Sequence, residues 1–452
     1  MGLARNVAAR VSRLARRVGG IPEVGMPASR PKVRLVIGAH IAKKGMRGAF
    51  RGEALTRVLL NALSEAIFFE MAFRNFGPAS MIRGLHGFFP HIFMPDFHGP
   101  HFDEALQRIV FSKKGPNILY FSLTGSCPCR CEYCFAGAGG AQADDIGDAA
   151  ALSVATSVAR LRIPLVNISG GEPLSRYSRL LKTVRALSAG SEVRMFTSGI
   201  GLTQGRLHEL REAGLKGLFV SLDGDDPKAF DHARRTPGAF DAAVNALTLS
   251  AREDMLTFIN CVVDRTRFRD REQIVSFLRF VEKIDPRIVV NFLPQLATGR
   301  GADAVSFDRP DQCDELAQRI VSTAESIGRP VSMLFGKVDR FIGCPGAGGK
   351  LMNVDISGNM TVCISKASLG NILREPFEVI YERFVSHCRR LKVGFFCCDV
   401  SKESDGGLLD LSESREALDQ FYARSEDADW QRILDRYGWL FRRLFEKRAG
   451  DK

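Results

Sequence analysis

The chain has 452 residues, 45% of them hydrophobic and 25% charged, which excludes wholesale disorder and exceeds the usual size of one core. Its formal net charge is +12, and the first sixty residues hold thirteen Lys or Arg, from Arg5 to Arg57, against Glu23 and Glu53. Nearly all the excess charge therefore sits at the N-terminus. In that region Leu3, Val7, Val11, Leu14 and Val18 recur at helical steps among arginines, the pattern of a basic amphipathic helix suited to an anionic membrane surface or an acidic partner; a solvated arm has the same composition. A second apolar helix is expected over Ala54 to Phe73, too often interrupted by polar residues to span a bilayer. No signal-peptide core, membrane span or lipidation motif is visible, so a cytoplasmic location is expected, peripheral to the inner face of the membrane if the basic arm binds there. The stretch Gly84 to Phe102 concentrates His86, His91, His98 and His101; its Pro and Gly content favours an irregular packed segment over a histidine metal site.

Beyond residue 110 the pattern becomes regular. A β-forming run from Asn117 to Thr124 leads straight into Gly125-Ser-Cys-Pro-Cys-Arg-Cys-Glu-Tyr-Cys-Phe135, so a strand delivers a loop in which Cys127, Cys131 and Cys134 have the spacing C-x3-C-x2-C. Eleven cysteines in a chain without export signals read as ligands or catalytic groups before disulfides. Three thiolates on one loop suit three irons of a cubane and leave the fourth iron open. A zinc site, which wants a fourth ligand nearby, and adjacent buried thiols are the alternatives, and Cys129 sits where a shift of register would make it a ligand. Next come a helix over Asp148 to Leu161, a strand over Pro164 to Ser169, and the turn Gly170-Gly171-Glu172-Pro173. Strands are then expected at Glu192 to Thr197, Gly217 to Leu222, Leu256 to Val263 and Ile288 to Leu293, with helical stretches between them. Strands alternating with helices predict parallel β/α units.

The cysteine loop followed by GGEP at this distance resembles the signature of the radical S-adenosylmethionine (SAM) superfamily, and the resemblance runs over about residues 117 to 400. It implies an α/β fold, a partial (β/α)6 barrel whose strand ends line an open top, with a [4Fe–4S] cluster on Cys127, Cys131 and Cys134 and SAM as cofactor. Thr197-Ser198-Gly199 resembles the family's ribose-side turn, Ser221-Leu-Asp223-Gly its SLDG strand end, and Asp231 to Phe240 the D-x-x-R-x-x-x-G-x-F stretch that follows. By this resemblance Tyr133, Gly170, Gly171, Glu172, Pro173, Ser198, Ser221, Asp223 and Arg234 are expected around SAM, with Glu172 and the turn carbonyls on its amino group and Arg234 on its carboxylate or in the surrounding polar shell; an exposed helix charge is the plain alternative for Arg234. Pro294 to Gly301, PQLATGRG, is similar to a Gly-Arg-Gly turn of maturase-type members.

Downstream, Cys344 and Cys363 bracket the strand-like Lys350 to Ile356, and Leu369-Gly-Asn-Ile precedes a helix over Phe377 to Phe384. This resembles the SPASM and shorter Twitch extensions, which implies a second, auxiliary [4Fe–4S] cluster on Cys344, Cys363 and two of Cys388, Cys397 and Cys398. The alternative is a hairpin with incidental cysteines. Cys261 and Cys313 are expected in the core, and Asp429 to Lys447, with Trp430 and Trp439, reads as a docking helix. The expected organisation is a basic, mainly helical extension at 1–110, a radical SAM core at 111–310, an auxiliary-cluster segment at 311–400 and a helical segment at 401–452. The expected activity is reductive cleavage of SAM and hydrogen abstraction from a peptide or protein, with flavodoxin or ferredoxin as electron donor. A lipid or small-molecule substrate, or a non-catalytic iron–sulfur electron carrier, is the alternative, and nucleic acid is not an expected partner.

Overall fold

The computed structural model describes residues 82–84, 87–89, 95–96, 99–110, 115–139, 145–264, 266–295, 299–301, 310–329, 331–333, 351–361 and 368–390. The basic arm, the expected helices at 54–73 and 429–447, and Cys344, Cys363, Cys397 and Cys398 lie outside these residues, as do the side chains of Cys313 and Cys388. A short antiparallel pair, β1 (Ile82–Gly84) and β2 (Gly87–Phe89), precedes helix α1 (Pro100–Val110). Then come β3 (Ile118–Ser122), α2 (Gly147–Leu161), β4 (Leu165–Ser169), α3 (Tyr177–Ser188), β5 (Glu192–Thr197), α4 (Gln204–Glu212) and β6 (Leu215–Ser221). Helices α5 (Pro227–Arg234) and α6 (Ala239–Arg252), strand β7 (Leu256–Val263), helix α7 (Arg271–Ile284) and strand β8 (Val289–Pro294) complete six parallel strands in chain order.

The strands alternate. On β4 the side chains of Val166 and Ile168 join the apolar core under the helices, whereas Asn167 between them does not. On α7, capped by Asp270 whose carboxylate accepts from Gln273 N at 2.9 Å, Ile274, Phe277, Leu278 and Val281 form the buried stripe at three- and four-residue steps. The opposite face of the sheet carries its own row: Tyr120 lies against Phe196 at 5.7 Å between ring centroids, Phe196 stacks on Phe219 at 4.5 Å, and Phe219 on Phe258 at 4.6 Å. One register higher, toward the C-terminal strand ends, Ser221, Asn260 and Asn291 stand side by side, and Asn291 donates to Asn260 at 2.9 Å.

The sheet is larger than the six strands read from the sequence. Among the described residues it has ten, in the order β12-β11-β10-β3-β4-β5-β6-β7-β8-β9, adding β9 (Val331–Met333), β10 (Leu351–Val354), β11 (Asn359–Thr361) and β12 (Ser368–Asn371). Strand β9 pairs parallel with β8, and β10 pairs parallel with β3. The first and sixth barrel strands are therefore not partners of each other, and the barrel is open. Helix α8 (Pro310–Ser326) lies between β8 and β9 in the chain, and the last helix, α9 (Phe377–Arg390), buries Phe377, Ile380, Tyr381, Phe384 and Val385 in the same core. Among the described residues no helix is long and apolar enough to cross a membrane.

Candidate functional site

The loop after β3 is held by backbone bonds from three directions. Arg130 N and Glu132 N donate to the carbonyls of Arg234 and Ala233, at 3.0 and 3.1 Å, so the last carbonyls of α5, which lack a partner within the helix, serve as a dock for the cysteines. Within the loop Cys134 N donates to Cys131 O and Gly137 N to Cys134 O. The GGEP turn closes on the loop's start: Gly171 N donates to Thr124 O at 2.6 Å and Glu172 N to Ser126 O at 2.8 Å. That approach requires glycine. A Cβ on Gly170, which has φ +131°, would stand 2.5 Å from Thr124 O, and one on Gly171 2.3 Å from Ser126 O.

Cys127, Cys131 and Cys134 are half-buried on this loop, while Cys129 is buried between Cys127 and Cys131 and shares thiol hydrogen bonds with both. The hydrogen bond to Cys129, and then burial, raise the Cys131 thiol pKa, a bias that iron overrides because a coordinating thiol is deprotonated outright. Among the described residues no three His, Cys, Asp or Glu side chains are gathered as around a single metal ion; a cubane does not ask for this, since each thiolate meets a different iron. Three partly accessible thiols on a backbone fastened at both ends fit such a cluster.

Asp223 organises the polar wall beside the loop. Its Oδ2 accepts from the Tyr133 hydroxyl and from Arg234 at 2.7 Å, and its Oδ1 from Val262 N at 2.8 Å. Burial alone would push this carboxyl up, but the guanidinium groups of Arg234 and Arg267, together with the Tyr133 and Val262 hydrogen bonds, hold it below the usual range. Arg234 is 5% exposed, and besides Asp223 it reaches Cys131 Sγ at 3.9 Å and lies over the Phe230 ring at 4.5 Å. The exposed-charge alternative for Arg234 is thus corrected: the side chain is buried, with its Nε lacking a hydrogen-bond partner. Arg267, which sequence reasoning did not single out, lies over the Tyr133 ring at 4.9 Å and donates to Val262 O at 2.9 Å.

Glu172 is 1% exposed, and its carboxylate accepts from Leu174 N at 3.2 Å, Thr197 Oγ1 at 2.8 Å, Ser198 N at 2.7 Å and Ser198 Oγ at 2.6 Å. These donors match the capacity of a carboxylate, so Glu172 ties the GGEP turn to the Thr197-Ser198-Gly199 turn. Burial raises its pKa even so. Pro173 is buried at the first position of the following 3-10 turn, and Ser221 is half-buried at the end of β6. Of the four histidines considered for a metal only His101 is described; it lies on α1, and burial lowers its pKa. Cys261 is fully buried on β7, as expected for a core residue.

Residues 121–278 match the Radical SAM superfamily. The chain is 27% identical over 197 residues to the AdoMet-dependent heme synthase of Methanosarcina barkeri, which covers 43% of this chain and 55% of that protein. It is 30% identical over 162 residues to the PqqA peptide cyclase of Methylocella silvestris, covering 36% and 43%. A longer match, 26% over 292 residues, joins it to the mycofactocin maturase MftC of Mycobacterium tuberculosis, covering 64% of this chain and 70% of that one. The chain spans about half the length of the first two of these relatives. The matched residues hold the cysteine loop, the GGEP turn and the strands β4 to β7, so residues 121–278 form a radical SAM domain.

Proposed function

We propose that the chain is a radical SAM enzyme that abstracts hydrogen from a peptide or protein substrate. The observation that carries this reading is the fastening of the C-x3-C-x2-C loop to the GGEP turn at a separation only glycine permits. When bound, a [4Fe–4S] cluster with SAM supplies one-electron cleavage to methionine and a 5′-deoxyadenosyl radical, the hydrogen-abstracting agent. Cys127, Cys131 and Cys134 would hold the cluster. Gly170, Gly171, Glu172 and Pro173 shape the turn on the amino side of SAM, with backbone carbonyls as acceptors because the Glu172 carboxylate is engaged. Ser198 and Ser221 stand at strand ends, while Tyr133 and Asp223 fix Arg234, whose guanidinium lies 3.9 Å from Cys131 Sγ and brings positive charge to the carboxylate side of SAM.

The peptide reading is supported by the peptide cyclase and maturase relatives, the latter through a match longer than the domain itself. A small-molecule precursor is the second reading, favoured by the heme synthase relative. Cys344, Cys363 and two of Cys388, Cys397 and Cys398 are proposed for an auxiliary cluster, a flavodoxin or ferredoxin as electron donor, and the basic N-terminal arm as a contact with anionic membrane. Anaerobically reconstituted protein given SAM and a strong reductant is expected to release 5′-deoxyadenosine, and Cys131→Ala to abolish the release. Undiminished release by the variant would remove this loop as the SAM site.

A further inference from the structure

The Gly-Arg-Gly turn after β8, a weak signal in the sequence, meets the cysteine loop directly. Arg300 N donates to Cys134 O at 3.0 Å, its Nε to Cys131 O at 2.8 Å, and its Nη1 to Gly137 O at 2.9 Å. One residue thus grips the backbone at the second and third thiol positions and at the loop's exit. Gly299 makes the approach sterically feasible: its φ is +58°, and a Cβ there would stand 2.4 Å from both Cys134 O and Phe135 O. The turn hangs from the sixth barrel strand, whereas the loop hangs from the first, and these strands are not paired. The contact therefore spans the open side of the barrel at its C-terminal end.

We propose that Arg300 is a positioning residue that locks the cysteine loop in its cluster-holding shape and thereby slows loss of the cluster. A planar guanidinium with donors in a fixed fork can hold two carbonyls at once, which an ammonium on a flexible stem cannot reproduce. Arg300 N on Cys134 O holds the peptide plane after Cys134, and Arg300 Nε holds the Cys131 carbonyl that accepts from Cys134 N at 3.3 Å in the plane before it, so both planes that set the direction of the Cys134 Cα–Cβ bond are tied to one residue. Groups that hydrogen-bond metal ligands orient them in a comparable way, and their mutation typically costs about 10- to 100-fold in metal affinity or activity.

The proposal rests on the reading of Cys127, Cys131 and Cys134 as cluster ligands, and the test separates the two. Full-length protein, reconstituted anaerobically, is challenged with an iron chelator, and the loss of cluster absorbance and of the low-temperature EPR signal of the reduced cluster is timed. The triple variant Cys127→Ala, Cys131→Ala, Cys134→Ala gives the background from any other iron. Arg300→Ala is expected to lose the loop's cluster about tenfold faster, with the melting temperature of the iron-free chain unchanged. Arg300→Lys should fall between Arg300→Ala and the parent. Arg211→Ala, which removes an exposed arginine paired with Glu253 far along the chain, should behave as the parent. Release from Arg300→Ala at the parent's rate would overturn the proposal, as would acceleration shared equally by Arg211→Ala. A triple variant that keeps the parent's full iron content and spectrum would instead overturn the ligand assignment itself.

Discussion

Asp223 shows how one buried carboxylate can order a site. Removing one member of a buried ion pair leaves the other uncompensated, at a cost of about 3 to 5 kcal/mol, and here the Arg234 partner is itself bonded toward Cys131. Because the Asp223 pKa is depressed in the folded protein, the stability it contributes is fully present above the ordinary carboxylate value of about 3.9 and is lost as pH falls through the lower folded value. Iron-free Asp223→Asn should therefore be markedly less stable than the parent at neutral pH, with the gap shrinking below about pH 4. Denaturant unfolding at several pH values checks this, and a gap that stays constant would mean that the charge is not what matters. The resemblance of the sequence to family motifs suggested Asp223 and Arg234, but it could not show that they bind each other. Arg267 carried no signal at all, because its role depends on β7 lying beside β6 and bringing residue 267 over the Tyr133 ring.

Helix α5 is only eight residues long, yet both of its ends are used. At the start Asp226 accepts from Lys228 N at 2.9 Å and from Ala229 N at 3.2 Å, and at the end the carbonyls of Ala233 and Arg234 receive the cysteine loop. A helix this short depends on its cap. Asp226→Ala should lower stability by about 1 kcal/mol, whereas Asp226→Asn, which keeps a capping oxygen, should recover most of it; equal losses in the two variants would place the effect elsewhere. Elements of this kind were legible where the pattern was local. Strands β5 and β7 occupy the spans expected from their apolar runs, and α2 begins one residue before its expected start. Strand β9 was not legible, because three residues, Val331 to Met333, carry too little periodicity to stand out from a helix end.

At the scale of the whole molecule, the second cysteine segment is built into the barrel's sheet. The hairpin of β10 and β11 was anticipated from Cys344, Cys363 and the residues between them, but its place was not, since pairing between residues 351–354 and 118–121 is a contact across more than two hundred positions that no local pattern encodes. The consequence is mechanical: β3, the strand that delivers the cysteine loop, has β10 as its outer neighbour. Helix α9 adds Ser157 Oγ to Glu378 at 2.5 Å and Arg108 Nη1 to Tyr381 Oη at 3.3 Å, besides its five buried apolar or aromatic side chains. Burying each such side chain is worth about 1.5 to 3 kcal/mol, so together they rival the 5 to 15 kcal/mol by which a typical domain is stable. A chain truncated after residue 330 should therefore aggregate or unfold, because it exposes the edge of β3 and the core under α9, even though it keeps Cys127, Cys131 and Cys134. The full-length double variant Cys344→Ser, Cys363→Ser separates this structural role from cluster binding. It should remain folded and lose only about four irons while still releasing 5′-deoxyadenosine from SAM. A truncated chain that stays monomeric, with a cooperative melting transition near that of the parent, would show that the barrel stands without its β10 edge.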